Sequence, residues 1–228
     1  SKIHQFGYQF KKDSVDGNPY LLRIGYEICT ILQKQNENIL MLDIGSNCGI
    51  WSLFTKINPN VKCHCYEANP EMISFIQSTI QLNSLENNVK VFNTGLSDKN
   101  DTLTLNIPYS KYHYGLTTFS SEPKRFSKKK SRQEEVPVKT LDSIYATTEI
   151  PIKFIKIDTE GWEFYILKGA IKTIQTHQPT ILMEFVEDNM LQAKVNKTDI
   201  KDFFNTLNYN CIFLGSDLLC FPKGFSSF

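Results

Sequence analysis

Hydrophobic and polar positions follow two different periods along the chain. Apolar residues recur every three to four positions over residues 20–33 and again over residues 72–80, as they do on the buried face of a helix. An apolar run begins at Ile39 and Leu40 and predicts a first strand over residues 39–44, and residues 61–66 are the next strand candidate. A further helix is predicted where residues 50–54 follow the first of these strands. Strands that alternate with helices are typical of a parallel α/β sheet.

The second half of the chain continues this alternation and then changes it. The predicted strands there cover residues 88–94, 101–107, 152–158 and 180–185. The predicted helices cover residues 163–175 and 198–207. Two short apolar runs, 211–214 and 218–221, flank Gly215-Ser216-Asp217 and predict an antiparallel hairpin. The expected fold class is therefore α/β, with a mostly parallel, doubly wound sheet that a C-terminal antiparallel hairpin closes.

We expect one domain over residues 1–228, because this length and a hydrophobic content of 41% suffice for one core. Within it, residues 1–38 are expected to form an N-terminal helical or lid segment. Residues 108–135, which are mostly polar, are expected to form a loop insertion beside the site. Since the chain starts with Ser1, it is also compatible with one domain of a larger polypeptide.

Charge, hydrophobicity and cysteine content indicate which kinds of binding partner and cellular environment to expect. The formal net charge of +1 gives no general attraction to nucleic acid or to a membrane surface. No apolar run in the sequence approaches the roughly 20 residues of a membrane span. The six cysteines contain no Cys-x-x-Cys pair, so reduced thiols in a cytoplasmic protein are expected. A metal site at Cys63-His64-Cys65 is disfavoured, because alternation along a strand places His64 on the opposite face from both cysteines.

The turn after the first strand carries the clearest chemical signal. This turn contains Gly45, Ser46, Asn47 and Gly49, and Asp43 lies near the end of the first strand, just before the turn. A dinucleotide fingerprint has glycine at the position of Asn47, so that the backbone can approach a pyrophosphate. Asn47 therefore disfavours NAD, whereas the carboxylate of Asp43 suits a cationic ligand such as S-adenosylmethionine. The alternative is an ordinary strand-to-helix turn with glycine at positive φ.

The second strand ends in Glu67, followed by Ala68. An acidic residue about 20 positions after the glycine turn is placed to accept hydrogen bonds from ribose hydroxyls. A surface glutamate before a turn is the alternative. Together with the glycine turn, Glu67 indicates a nucleoside-containing cofactor.

Several stretches together resemble the FkbM family of S-adenosylmethionine-dependent methyltransferases. They are Asp43-Ile44-Gly45-Ser46-Asn47-Cys48-Gly49, Leu96-Ser97-Asp98, Thr140-Leu141-Asp142, Ile157-Asp158-Thr159-Glu160-Gly161-Trp162-Glu163 and Leu167-Lys168-Gly169-Ala170. Glu67-Ala68-Asn69-Pro70 resembles a further family motif, with Ala68 where proline is usual. The resemblance implies a Rossmann-like class I methyltransferase fold and O-methylation of sugar or polyketide hydroxyls. It also implies that Ser97, Asp98 and Asp158 belong to the cofactor site.

An acidic cluster is predicted at the ends of two later strands. A hydroxyl acceptor must lose a proton, which requires a base or a metal ion that lowers its pKa. Asp158 and Glu160 follow the strand at residues 152–158, and Glu184 lies at the end of the next strand. These residues are candidates for catalysis, and Asp158 with Glu184 could hold Mg²⁺ or Mn²⁺. Helix capping by Asp158 and Glu160, and a salt bridge at Glu184, are the alternatives.

Residues 108–135 have the composition of a segment that covers an acceptor. Tyr109, Tyr112 and Tyr114 could stack on a sugar and bind its hydroxyls, and His113 could act as a base. An aromatic surface loop is the alternative. The same segment contains a basic run, which is either solvated or contacts an anionic acceptor. Its members are Lys124, Arg125, Lys128, Lys129, Lys130 and Arg132.

The favoured function is an O-methyltransferase that acts on a hydroxyl of a sugar, a glycan or a related small molecule. The near-neutral charge argues against a second hypothesis, an RNA-modifying methyltransferase that uses the basic run. The acidic cluster argues against a third, a binding module without catalysis. Asn47 argues against the fourth, an NAD-dependent oxidoreductase.

Overall fold

The computed structural model describes residues 28–29, 32–121 and 130–224. Most of the predicted helix at 20–33 and most of the predicted segment 1–38 therefore lie outside the described residues. The same holds for residues 122–129, which contain much of the basic run. Ile28 and Leu32, the described apolar members of that helix, are buried against the sheet.

In the part of the chain that the structure describes, ten strands form two sheets. They are β1 (Ile39–Ile44), β2 (Val61–Tyr66), β3 (Val89–Phe92), β4 (Gly95–Leu96), β5 (Asp101–Pro108), β6 (Ser131–Lys139), β7 (Ile152–Ile157), β8 (Thr180–Glu184), β9 (Tyr209–Leu214) and β10 (Asp217–Pro222). The main sheet has the order β3-β2-β1-β7-β8-β10-β9. Its first five strands pair in parallel, and β10 pairs antiparallel with both β8 and β9. The doubly wound sheet and its closing hairpin are therefore as predicted.

Helices cover both faces of this sheet. The α-helices are α1 (Pro70–Leu82), α2 (Leu141–Tyr145), α3 (Glu163–Lys168), α4 (Ile171–His177), α5 (Glu187–Gln192) and α6 (Lys197–Thr206). Ile50–Lys56 and Lys111–Leu116 form 3-10 helices. Pro70 begins α1, where its missing N–H removes no helical bond. The sheet strands contribute to two apolar clusters, so the core lies on both sides of the sheet.

The single helix predicted over residues 163–175 is wrong, because the structure divides it into α3 and α4. Gly169 lies at the break. A Cβ atom at this position would be 2.1 Å from the carbonyl oxygen of Ser97, so the chain approaches its neighbour closely there. The helix that follows β1 is present, as a 3-10 helix.

The segment predicted as a polar loop contains a strand. β6 begins at Ser131 and pairs antiparallel with β5, in a separate sheet of order β4-β6-β5. The strand predicted over residues 101–107 therefore lies beside the main sheet. In β6, Ser131, Val136 and Val138 are buried between exposed or partly exposed neighbours, which explains why its composition is polar.

The cysteines divide into two groups. Cys63 and Cys65 are buried on one face of β2, and His64 lies on the other face beside Tyr145, as alternation predicts. The expectation of reduced thiols throughout is wrong for one pair. Cys211 and Cys220 face each other across the hairpin and form a disulfide. Among the helices of the described residues, none combines the length and apolar character of a membrane span.

Candidate functional site

A cavity of about 480 Å³ lies at the carboxyl ends of β1, β2 and β7. In open α/β sheets this edge is where ligands bind, and the volume is within the usual range of small-ligand pockets. The predicted site residues that line it are Gly45, Ser46, Asn47, Glu67, Ala68, Tyr112, His113, Tyr114, Asp158 and Glu160. Most of the predicted site therefore converges on one cavity.

The glycine turn approaches the cavity with an unusual backbone. Gly45, Asn47 and Gly49 have φ values of 74°, 51° and 78°. A Cβ atom at Gly45 would be 1.9 Å from the carbonyl oxygen of Asp158, so the turns after β1 and β7 touch. Gly49 itself does not line the cavity; it faces Ile76 of α1.

Glu67 fixes this turn. Its Oε2 accepts a hydrogen bond from the backbone N–H of Asn47, and its Oε1 accepts one from that of Asn69, both at 2.8 Å. Burial raises the pKa of Glu67, whereas these two backbone bonds lower it. The carboxylate therefore joins the end of β2 to the glycine turn at the wall of the cavity.

Asp43 lies below the cavity and does not line it. Its side chain is fully buried, and its Oδ1 has no hydrogen-bond partner within the described residues. The Nζ atom of Lys156 is 3.9 Å from that oxygen. The predicted cofactor contact of Asp43 is thus separated from the cavity, and Lys156 lies between this carboxylate and Asp158.

Lys156 is the residue that sequence reasoning missed. Its Nζ lies 3.2 Å from Oδ2 of Asp158 and donates to the carbonyl oxygen of Gly45 at 3.3 Å. Burial opposes the charged form, but the carboxylates of Asp158 and Asp43 raise the pKa of Lys156. A lysine within the apolar run of β7 was the available signal, because a buried lysine needs a charged partner.

Asp158, Glu160 and Glu184 lie together, with one carboxylate oxygen from each within 4.8 Å of the others. The Nδ2 atom of Asn189 donates to Oε2 of Glu160 at 2.9 Å and to Oε2 of Glu184 at 3.1 Å. Glu160 has a φ of 53°, a conformation that non-glycine residues seldom adopt and that often marks a functional turn. Glu184 lies behind the cavity, and burial with the nearby carboxylates raises its pKa to about 8.

Glu163 organises the turn that carries the cluster. Its Oε1 accepts bonds from the N–H groups of Thr159 and Gly161 and from the hydroxyl of Thr159. Helix α3 begins after Trp162, which makes no side-chain cap. The carboxylate that binds the free amides here is thus that of Glu163, which leaves Asp158 open to the cavity.

The predicted acceptor residues are placed differently from one another. Tyr112 and His113 line the cavity, and the Tyr112 side chain is 98% exposed. Tyr109 is 63% exposed and does not line the cavity. Tyr114 is only 7% exposed and donates its hydroxyl hydrogen to Glu71. The Tyr114 hydroxyl therefore forms a structural contact with helix α1.

Ser97 and Asp98 do not line the cavity either. The Ser97 hydroxyl accepts a hydrogen bond from Nε1 of Trp162 and donates one to Asp98, each at 3.2 Å. Asp98 also pairs with Lys168 at 2.9 Å. Residues 94–96, which precede them, do line the cavity, so this motif holds the wall in place from outside.

Comparison with known proteins agrees with this geometry. None of the curated protein sequences matches the chain significantly. A structure of the methyltransferase FkbM from Methylobacillus flagellatus matches 96% of this chain with a TM-score of 0.53 and 14% identity, and the chain spans 59% of that structure's length. A structure provisionally named as an rRNA-methylase from Clostridium thermocellum matches 87% of this chain and 94% of its own, with a TM-score of 0.51 and 10% identity.

Both structures support the class I methyltransferase fold of this chain. The family model described as the methyltransferase FkbM domain matches residues 43–211, which include the glycine turn, Glu67 and the acidic cluster. The chain therefore belongs to the FkbM methyltransferase family.

Proposed function

We propose that the protein transfers a methyl group from S-adenosylmethionine to a hydroxyl of a sugar, a glycan or a related small molecule. The observation that carries this proposal is that Asp158 and Glu160 line the same cavity as the glycine turn and Glu67. A nucleoside site and a candidate base are thus adjacent. Family membership supports the reaction type.

The cavity suits the cofactor. Bound S-adenosylmethionine would supply an activated methyl group. Glu67 has oxygen lone pairs left to accept hydrogen bonds from ribose hydroxyls, because each oxygen so far accepts one backbone bond. The backbone of Gly45 and Asn47 forms the adjoining wall, and Asp158 offers a carboxylate to an ammonium group.

Asp158 and Glu160 are the proposed proton acceptors. Lys156 orients Asp158 from below by its contact with Oδ2, which leaves Oδ1 for the acceptor hydroxyl. Asn189 holds Oε2 of Glu160 in the same way. His113 also lines the cavity and is a further candidate base. Positioning and proton removal are the main tasks left to the protein, because the methyl donor is already activated.

The cluster of Asp158, Glu160 and Glu184 also has the donor set that Mg²⁺ or Mn²⁺ prefers. A cation there would lower the pKa of an acceptor hydroxyl. If a cation takes part, a chelator should abolish methyl transfer, and added Mg²⁺ or Mn²⁺ should restore it. Unchanged activity in chelator would remove the cation and leave Asp158 and Glu160 as the bases.

The test is methyl transfer from labelled S-adenosylmethionine to a panel of sugars, glycans, sugar nucleotides and RNA. In Asp158→Asn we expect transfer to fall by roughly 10²–10⁴-fold, with the affinity for S-adenosylhomocysteine measured in the same variant. The exposed pair Lys99–Asp101 lies far from the cluster in sequence and provides the matched control, Asp101→Asn. Transfer only to RNA would contradict the proposed acceptor class, and transfer by Asp158→Asn and Glu160→Gln at the wild-type rate would contradict the proposed bases.

A further inference from the structure

One segment lines the cavity next to the glycine turn; we define it as the strap, residues 111–118. It follows β5 and contains the 3-10 helix Lys111–Leu116. Residues 112–118 all line the cavity. At Gly115 the strap passes directly over the glycine turn, because a Cβ atom there would be 3.2 Å from Nδ2 of Asn47. The strap therefore covers the part of the cavity assigned to the cofactor.

A three-residue clasp ties the middle of the strap to the body of the protein. The Tyr114 hydroxyl donates to Oε2 of Glu71, in the first turn of α1. Nη1 of Arg132, in β6, donates to Oε1 of the same carboxylate at 2.6 Å, and Nη2 is 3.3 Å from Glu134. Glu71 thus joins three separate elements by its two oxygens.

The ring of Tyr114, one of the three clasp residues, is held by apolar packing. The Tyr114 ring belongs to a small cluster with Met72, Leu105, Ile107 and Val136, all buried. This cluster lies between α1 and the second sheet, apart from the two clusters of the main sheet. The ring therefore anchors the strap, and the hydroxyl fixes its direction.

The far end of the strap is tied to both halves of the site. The Thr117 hydroxyl accepts a bond from Nδ2 of Asn69 at 3.3 Å, next to the Glu67 region. The Thr118 hydroxyl donates to the carbonyl oxygen of Glu160 at 2.9 Å. Two adjacent threonines thus join the cofactor side of the cavity to the acidic turn.

We propose that Glu71, Tyr114 and Arg132 are positioning residues whose clasp keeps the strap closed over the bound cofactor and so limits the rate of cofactor release. This inference rests on the proposed function, since the occupant beneath the strap is the methyl donor or its demethylated product. Glu71 and Arg132 do not line the cavity, and the Tyr114 hydroxyl is bound to Glu71, so each of the three residues acts through the position of the strap.

The probe is S-adenosylhomocysteine, with its dissociation rate measured by rapid-mixing fluorescence or surface plasmon resonance. Tyr114→Phe retains the ring in its cluster and removes the clasp bond. Glu71→Gln retains an oxygen and removes the ion pair. Each should raise the dissociation rate by about tenfold or more, because a hydrogen bond to a charged group is lost. The double variant should be little faster than either single one, because both act on one contact.

Two further variants separate positioning from loss of stability. Arg132→Lys, which can still pair with Glu71, should release the probe more slowly than Arg132→Met. Tyr209→Phe removes a buried hydroxyl that donates to the carbonyl oxygen of Pro179 at 2.9 Å, far from the strap. This control should lower the melting temperature yet leave the dissociation rate unchanged.

The outcomes distinguish the two proposals. If the wild-type protein does not bind S-adenosylhomocysteine, both the proposed function and this inference fail. If it binds, and Tyr114→Phe and Glu71→Gln release the probe at the wild-type rate, the clasp alone is overturned. Faster release in Tyr209→Phe to the same extent would also overturn it, because the effect would then follow stability.

Discussion

Lys156 places one positive charge between the buried carboxylate of Asp43 and the cavity-lining carboxylate of Asp158. In Lys156→Met, a side chain of similar length removes that charge and leaves Asp43 buried beside no cation. The expected loss is about 3–5 kcal/mol in the free energy of unfolding, as for other broken buried pairs. Urea denaturation measures it.

Two controls accompany this prediction. Lys153→Met makes the same change on the same strand, at a half-buried position, and should cost far less. Adding Asp43→Asn to Lys156→Met should restore part of the lost stability, because the isolated carboxylate is gone. If Lys156→Met lowered the free energy of unfolding no more than Lys153→Met does, Lys156 would not be needed to balance the charge of Asp43.

Glu67 leads to a prediction about cofactor binding. Glu67→Ala should weaken binding of S-adenosylhomocysteine by roughly 1–3 kcal/mol, because bonds to a charged group are lost. Part of that loss would come from the glycine turn, whose Asn47 amide is bound by Glu67. Calorimetry of the wild-type protein and the variant measures it, with NAD as the comparison ligand. Tighter binding of NAD than of S-adenosylhomocysteine would contradict the cofactor assignment.

At the residue scale, sequence predicts which groups gather and misses what each one contacts. Residue order alone placed Glu67, Asp158 and Glu160 at the sheet edge, because the carboxyl ends of parallel strands meet there. It did not reveal that Asp43 lies below the cavity or that Tyr114 binds Glu71. The Tyr114–Glu71 contact joins residues 43 positions apart, and Asp43 meets Lys156 from another strand, so no local pattern encodes either.

At the element scale, β1 and β8 were predicted because strands buried on both faces are nearly continuously apolar. β2 and β7 were predicted from apolar residues that alternate with or surround lysines. β6 was missed because one face of it is exposed and its first half is polar. The break between α3 and α4 was missed because residues on both sides keep a helical spacing. Gly169 ends α3 and was the available sequence signal, since glycine often follows the last residue of a helix.

The close approach at Gly169 leads to a prediction. Gly169→Ala adds a methyl group 2.1 Å from a backbone oxygen that cannot rotate away, so the free energy of unfolding should fall by about 3 kcal/mol. Chemical denaturation measures the loss. Gly115→Ala is the folding control, because its nearest contact is a side-chain nitrogen at 3.2 Å. Equal stability of the two variants would show that the backbone near residue 169 can relax.

At the scale of the whole molecule, three carboxyl groups on α3, β8 and β10 share one edge of the sheet. Burial is the largest cause that raises the pKa of Glu163 to about 7, of Glu184 to about 8 and of Asp217 to about 6, and the charge of Asp158 adds to each. Asp217 lies opposite Glu184 in the pairing of β10 with β8. The folded protein therefore binds protons here that the unfolded chain has released.

Stability should consequently fall as the pH rises. Below the ordinary carboxyl pKa both states are protonated; between that value and about 8 only the folded state keeps the protons, so the free energy of unfolding decreases. The slope is on the order of 1 kcal/mol per pH unit for each group that titrates. Urea denaturation at several pH values from about 5 to about 9 measures this decrease in the free energy of unfolding.

A neutral variant tests the source of the slope. Glu184→Gln should flatten the decrease near pH 8, whereas Glu149→Gln, at an exposed position, is the matched control. A slope that persists unchanged in Glu184→Gln would assign the decrease to other groups.

The strand order β8-β10-β9 has a consequence for biosynthesis. Among the described strands, β9 pairs with β10 alone, although β9 comes first along the chain. As the polypeptide leaves the ribosome, β9 has no place to dock and the edge of β8 stays open until β10 has emerged. An open edge of a buried parallel sheet is prone to pair with other chains. We therefore expect the nascent chain to be prone to aggregation in the interval between the synthesis of β8 and that of β10.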